Sequence, residues 1–244
     1  MHRVIVALDV DTANEARRLA DSLRGSVGAF KIGSRLFTAE GPAIVRELTG
    51  RGDRVFLDLK FHDIPNTVAG AIEAATRLGV WMVNVHAAGG RDMMRASREA
   101  AERASAEAGI ARPLVIAVTV LTSLSEQSLR ETGVLNDPLG QVTHLARLTR
   151  DAGLDGVVAS PLEIAAVRQA CGEGFEIVAP GIRGAQDAKG DQTRTLSPRD
   201  AVAAGASYIV VGRPIIASGN PLAAAKAIVR ELTVPVTNSG PPSK

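Results

Sequence analysis

The segment Val55-Phe56-Leu57-Asp58-Leu59-Lys60-Phe61-His62-Asp63 begins as an apolar strand. It closes with a carboxylate, an ammonium and a second carboxylate in the spacing Asp-x-Lys-x-x-Asp. Side chains on a strand alternate between faces, so Phe56, Asp58 and Lys60 share one face and Val55, Leu57 and Leu59 the other. Taking a carboxylate and an ammonium out of water often outweighs the attraction between them, which makes such a pair a candidate for chemistry. An ammonium fixed at a reacting carbon stabilises developing negative charge and then serves as a general acid. Carboxylates on either side favour the charged form of that ammonium. A structural ion pair at a strand end is the competing reading of this segment taken alone.

Other charges end other strands. Asp9 closes the first strand, and Lys31 lies in Phe30-Lys31-Ile32-Gly33 of the second. Toward the other end of the chain, Pro180-Gly181-Ile182-Arg183 and Gly212-Arg213-Pro214-Ile215 each follow a strand. Glycine exposes backbone N–H groups there, and arginine supplies planar donors that match phosphate oxygens. Either G-x-R alone is a weak signal; the two together point to phosphate. Between them, residues 184–194 are polar and without periodicity, the character of a loop that closes over a ligand, with Gln192 turned inward. The four histidines receive no catalytic role: His62 and His86 lack metal-ligand spacing, and His2 and His144 read as surface residues.

One unit repeats along the chain: a short apolar strand, a polar or glycine-bearing loop, an amphipathic helix, then glycine. The strands read as Val4–Asp9, Val27–Gly33, Arg54–Lys60, Trp81–His86, Leu114–Thr119, Gly156–Ala159, Phe175–Ala179 and Tyr208–Val211. Helix starts carry Thr12-x-x-Glu15, Ser160-Pro161-x-Glu163 and Ser197-Pro198-x-Asp200, and stops fall at Gly25, Gly79, Gly109, Gly153, Gly172 and Gly205. Eight strand–helix units predict an α/β fold, a single-domain (β/α)8 TIM barrel over residues 1–233 with a flexible tail over 234–244. In that fold the strand-end charges meet at one mouth. A doubly wound open sheet is the runner-up, without the G-x-G-x-x-G turn that dinucleotide-binding versions carry.

Composition narrows the class further. With 244 residues, 45% hydrophobic and only 3% aromatic, the core must be built of Val, Ile, Leu and Ala, as suits strands buried on both faces. The formal charge is +2 and basic residues are scattered, so a nucleic-acid partner has no support. The single cysteine, Cys171, excludes an intrachain disulfide and reads as a helix-packing residue. The early apolar run Val4–Leu8 is too short for a membrane span or a signal-peptide core, so the expected location is the cytoplasm, with no membrane partner.

The stretch Phe56-Leu57-Asp58-Leu59-Lys60-Phe61-His62-Asp63-Ile64-Pro65-Asn66-Thr67-Val68 closely resembles the signature of the orotidine 5′-phosphate decarboxylase family in its bacterial form. The resemblance continues through Ala7-Leu8-Asp9, Phe30 to Gly33, Val118 to Ser123, Pro180 to Arg183, Asp191 to Arg194 and Val211 to Ile215; only the tail after Pro235 falls outside it. It implies decarboxylation of orotidine 5′-monophosphate to uridine 5′-monophosphate (UMP), the last step of de novo pyrimidine synthesis, with no metal and no organic cofactor. It assigns Lys60 as proton donor to C6, Asp58 beside the substrate carboxylate, and Asp63 to the site of the other subunit of a homodimer. Asp9 and Lys31 are expected at the ribose, joined by Thr67 from the partner subunit, and Thr122 at the pyrimidine. Pro180, Arg183, Gly212 and Arg213 belong to the phosphate end, with Gln192 bridging phosphate and base.

Two other readings compete. Metal-dependent sugar-phosphate decarboxylases and aldolases of the wider superfamily share Asp-x-Lys-x-x-Asp but place a glutamate near the end of strand two to hold Mg²⁺; here Lys31 would oppose a divalent ion. A non-catalytic binder of phosphate ligands is not excluded by fold, yet gains little from an ammonium set between carboxylates.

Overall fold

The computed structural model describes residues 2–182 and 196–233. Its strands are β1 (Val4–Ala7), β2 (Ala29–Gly33), β3 (Val55–Phe61), β4 (Met82–His86), β5 (Leu114–Val118), β6 (Gly156–Val158), β7 (Glu176–Ala179) and β8 (Tyr208–Val211). Each pairs in parallel with the next and β8 returns to β1, closing a barrel. Closure removes the unpaired edges that an open sheet would expose. The short Val/Ile runs are explained by burial on both faces. Val4, Val6, Leu8, Val83 and Val85 point outward into the core beneath the helices, while Ile5, Ala7, Ala29, Phe56, Met82, Ile116, Val178 and Val210 fill the inside. At the amino-terminal end of the barrel Trp81 meets Tyr208 edge-on at 5.0 Å, and the Arg54 guanidinium lies 3.9 Å from the Trp81 ring centre.

A helix follows every strand, as the sequence predicts. Those bearing on the site are Ala13–Leu23 after β1, Ser34–Glu40 after β2, Pro65–Arg77 after β3 and the short Arg213–Ile216 after β8. The Thr12 and Ser197 hydroxyls accept from the N–H groups of Glu15 and Asp200, and the Ser160 N–H donates to Glu163 at 2.9 Å. All six glycines read as stops have positive φ. Gly109 is representative: at φ 64 and ψ 31 it takes the left-handed cap that a side chain disfavours. Among the described residues no helix is long and apolar enough to cross a membrane. The segment 234–244, expected to be a flexible tail, lies outside the described residues.

Register carries the inner apolar column up to the mouth. Ala7 pairs with Lys31, Lys31 with Phe56, and Gly33 with Asp58. Two residues further along β2, β3 and β4, the inward positions change from Ala29, Phe56 and Met82 to Lys31, Asp58 and Asn84. Two expected details differ. β1 ends at Ala7, so Asp9 stands just past the strand rather than within it. On β3 the pairing with β4 shifts between Leu57 and Phe61, and Lys60 has φ 53, alone among the described non-glycine residues in being positive. A simple alternation of faces therefore describes β3 only as far as Asp58.

Gly156 is required by a close approach: a Cβ there would lie 2.1 Å from the Glu176 carbonyl oxygen on the neighbouring strand. Backbone cannot yield as a side chain can. Gly156→Ala is expected to lower unfolding free energy by about 1–3 kcal/mol through overpacking, read as a lower denaturant midpoint; an unchanged midpoint would contradict the packing described.

Candidate active site

The mouth of the barrel opens on a cavity of about 480 Å³. Asp9, Lys31, Asp58 and Lys60 line it from the β1–β3 side, Thr122 follows β5, and Pro180, Gly181, Gly212 and Arg213 follow β7 and β8. The four charges form one chain. Lys60 Nζ donates to Asp58 Oδ1 at 2.6 Å, Lys31 Nζ lies 3.4 Å from Asp58 Oδ2, and Lys31 Nζ also donates to Asp9 Oδ1 at 3.1 Å. Anion and cation thus alternate from β1 through β2 to β3.

Burial is uneven along this chain. The Asp58 side chain keeps only 12% of its exposure and that of Lys31 11%, whereas Lys60 keeps 37% and Asp9 53%. The central carboxylate is desolvated while the Lys60 ammonium opens onto the cavity. Burial pushes the Asp58 carboxyl up, but the charges of Lys31 and Lys60 and hydrogen bonds from Lys60 and Asn84 outweigh it and hold it below its ordinary value. Asp58 is therefore an anion at neutral pH.

Asn84 was not singled out by the sequence. It is fully buried, donates from Nδ2 to Asp58 Oδ1 at 2.7 Å, and accepts the Lys60 backbone N–H at 2.8 Å. The available signal was a lone amide on the inward face of Met82-Val83-Asn84-Val85-His86. Arg35 also lines the cavity and forms an exposed ion pair with Asp11 at the rim; nothing in the sequence marked either.

Other expected site residues stand apart. Asp63 and Thr67 are exposed, with the Asp63 carboxylate accepting the Ile64 N–H at 2.6 Å, and neither lines the cavity. Ile64 between them is 67% exposed. Arg183 and Gln192 lie outside the described residues.

The family model of the orotidine 5′-phosphate decarboxylase / HUMPS family matches residues 2–228. The chain belongs to this family. It is 53% identical over 231 residues to an orotidine 5′-phosphate decarboxylase of Moorella thermoacetica, covering 94% of this chain and 92% of that one. With the enzyme of that name from Alkalilimnicola ehrlichii it shares 56% over 230 residues, covering 94% and 96%. A crystal structure of orotidine 5′-phosphate decarboxylase from Lactobacillus acidophilus superposes with a TM-score of 0.85 at 38% identity, covering 96% of this chain and all of that one.

His86, half-buried on β4, has its ring centre 5.4 Å from that of the exposed His62. Burial, then the charges of His62 and Lys60, lower its pKa from the ordinary 6.5 against the opposing pull of Asp58. A histidine whose folded pKa is depressed binds fewer protons folded than unfolded, so stability falls as pH drops below 6.5 toward the folded value. His86→Gln should flatten this part of the stability-against-pH curve, measured as urea midpoints across the window; a slope equal to that of the parent would remove His86 as its source.

Proposed function

We propose that this member of the orotidine 5′-phosphate decarboxylase family converts orotidine 5′-monophosphate to UMP and CO₂ with Lys60 as proton donor. One observation carries the reading: an ammonium facing the cavity, 2.6 Å from a buried carboxylate that is itself held by a second ammonium. Loss of CO₂ leaves an electron pair on a ring carbon with no neighbouring carbonyl able to take it up fully, so the charge must be met electrostatically. Lys60 meets it and then protonates the carbon, which breaks one C–C bond and forms one C–H bond. Asp58 sits beside the departing carboxylate, and Asp9 and Lys31 hold the ribose hydroxyls. Thr122 contacts the pyrimidine.

The phosphate is taken by Pro180, Gly212 and Arg213, joined by Arg183, with Gln192 bridging phosphate and base. β7 stands four strands from β3 around the eight-stranded ring, so phosphate binding is remote from the reacting carbon. Binding energy won there can organise the charged array without acting on the bond that breaks.

The active form is a homodimer in the cytoplasm, with Asp63 and Thr67 of each subunit completing the site of the other. Their exposure, together with that of Ile64, supports this reading. A metal-dependent activity on sugar phosphates is the second reading, and Lys31 weighs against it. An ammonium 3.4 Å from Asp58 occupies the electrostatic place of a divalent ion.

Following the loss of orotidine 5′-monophosphate absorbance with purified protein and excess chelator tests the reading. Turnover is expected to persist, and abolition by chelation would move the chain to the metal-dependent branch. Lys60→Ala should lower kcat by about 10²–10⁴-fold while UMP still binds; a mutant with the parent's turnover would remove the proposed acid. Mixing the inactive Lys60→Ala and Asp63→Ala proteins should restore activity, because one site of a mixed dimer then carries both lesions and the other neither. No recovery after subunit exchange would place Asp63 within its own chain's site.

A further inference from the structure

Strand β4 reads Met82-Val83-Asn84-Val85-His86, with Val83 and Val85 turned outward into the core and Met82 inward into the apolar filling of the barrel. Asn84 is therefore inward, and it is fully buried. A buried amide without partners is destabilising by about 1–3 kcal/mol. Asn84 has two partners, and they belong to the two residues that matter most at the mouth. Nδ2 donates to Asp58 Oδ1 at 2.7 Å and Oδ1 accepts the Lys60 N–H at 2.8 Å. The assignment of the amide ends follows from this: a backbone N–H can only donate, and the ionised carboxylate can only accept.

The register makes this amide more than a filler. Leu57 pairs with Val83 and Phe61 with Val85, so Asp58, Leu59 and Lys60 stand opposite Asn84 alone. A regular parallel ladder would pass the Lys60 N–H to backbone of the adjoining strand. Here the side chain of Asn84 takes it, and Lys60 is left at φ 53. That region is unfavourable for a residue with a Cβ and persists only where surrounding bonds hold it. Asn84 does not line the cavity, so it works through the groups that do.

We propose that Asn84 is a positioning residue for the decarboxylation. It holds the Lys60 backbone in the left-handed turn that aims the ammonium into the cavity, and it shares Asp58 Oδ1 with that ammonium so that carboxylate and acid keep one geometry. This rests on the reading of Lys60 as the proton donor. Removing the amide lets Lys60 relax along the strand and frees the carboxylate to rotate. The phosphate contacts come from other strands, and Lys31 at the ribose keeps its pairing with Asp9.

The test compares kcat, KM, UMP affinity and pH profile for Asn84→Leu and Asn84→Asp, with Lys60→Ala as reference. Asn84→Leu keeps the shape and loses both bonds, and its kcat should fall on the order of 10²-fold with KM and UMP affinity changed no more than a few-fold. Asn84→Asp keeps the acceptor for the Lys60 N–H but sets a second carboxyl against Asp58. Two such carboxyls share one proton, with one pKa strongly raised. While that proton is held, the new side chain still donates to Asp58. The kcat of Asn84→Asp should therefore climb toward the parent's as pH falls, whereas Asn84→Leu stays low throughout.

Parental kcat in Asn84→Leu would overturn the proposal. So would equal, pH-independent losses in the two variants, which would reduce Asn84 to a filler of the bulge. If Asn84→Leu does not fold, the profile of Asn84→Asp decides alone: a climb toward acid supports positioning, and a profile of parental shape overturns it. A Lys60→Ala protein with the parent's kcat would overturn this inference together with the proposed acid. Inactive Lys60→Ala beside parental Asn84→Leu would overturn the inference only.

Discussion

Everything at the barrel mouth is organised around one desolvated carboxylate. Asp58 faces Lys60 on one oxygen and Lys31 on the other, and Asn84 adds a third donor. The attraction between unit charges 4 Å apart is about 4 kcal/mol at an effective dielectric near 20, while desolvation removes several kcal/mol for each ion brought inside. A single buried Asp–Lys pair would fall short under those magnitudes. Two cations and an amide tip the balance, and the outcome is visible in the depressed pKa of Asp58 despite its burial. Lys31 in turn is shared with Asp9, which closes the chain of charges at its exposed end. The array is thus held as a unit: each inner member lies between two charges of opposite sign.

Backbone geometry enforces the same arrangement. If β3 ran as a regular strand to its end, alternation would send Lys60 inward by default, with its N–H directed to strand backbone rather than to a side chain. The slip and the left-handed Lys60 make a local conflict between ladder and side-chain direction, of a kind that persists where function requires it. The barrel tolerates it because the remaining strand pairs are regular and Leu57 and Phe61, on either side of the slip, remain in the ladder. Strain of about 1–3 kcal/mol at one residue is small against the stabilisation from a closed sheet buried on both faces.

Most of the framework was legible in the sequence because barrel strands obey simple rules. Valine and isoleucine runs between capping serines or threonines and terminal glycines located all eight strands to within a few residues, and strand order followed from the repeat. Asp58, Lys60, Lys31 and Asp9 were legible because charge at the end of an apolar run is conspicuous. Asn84 was not, since one amide in Met82–His86 has no spacing partner in the sequence; its partners, Asp58 and Lys60, are 26 and 24 residues away. The left-handed Lys60 was hidden for a different reason. A bulge is set by the register of two strands, and a period of two within one strand contains no information about the other. The placement of Asp63 and Thr67 at a partner's site came only from the resemblance, because the fold of one chain leaves both facing outward.

The distribution of these groups around the ring has a mechanical consequence. Asp58 and Lys31 are fixed by strand backbones whose hydrogen-bonded neighbours cannot shift independently, and Lys60 by its bond to the Asn84 side chain, so the array keeps its geometry before any ligand arrives. Preorganised charges contribute to a reaction without reorganising at the moment of reaction, and an array of alternating sign would lose that advantage if one member could swing away. The cavity residues after β5, β7 and β8 instead sit on connecting segments, where Thr122, Gly181 and Gly212 precede short or irregular elements. Segments of that kind adjust more readily to a ligand than strands do. A rigid half that sets the electrostatics and a more compliant half, to which the proposal assigns the phosphate, follow from where the chain places strand and loop. In the proposed reaction, the second half can tighten around the nucleotide while the first remains as the barrel built it.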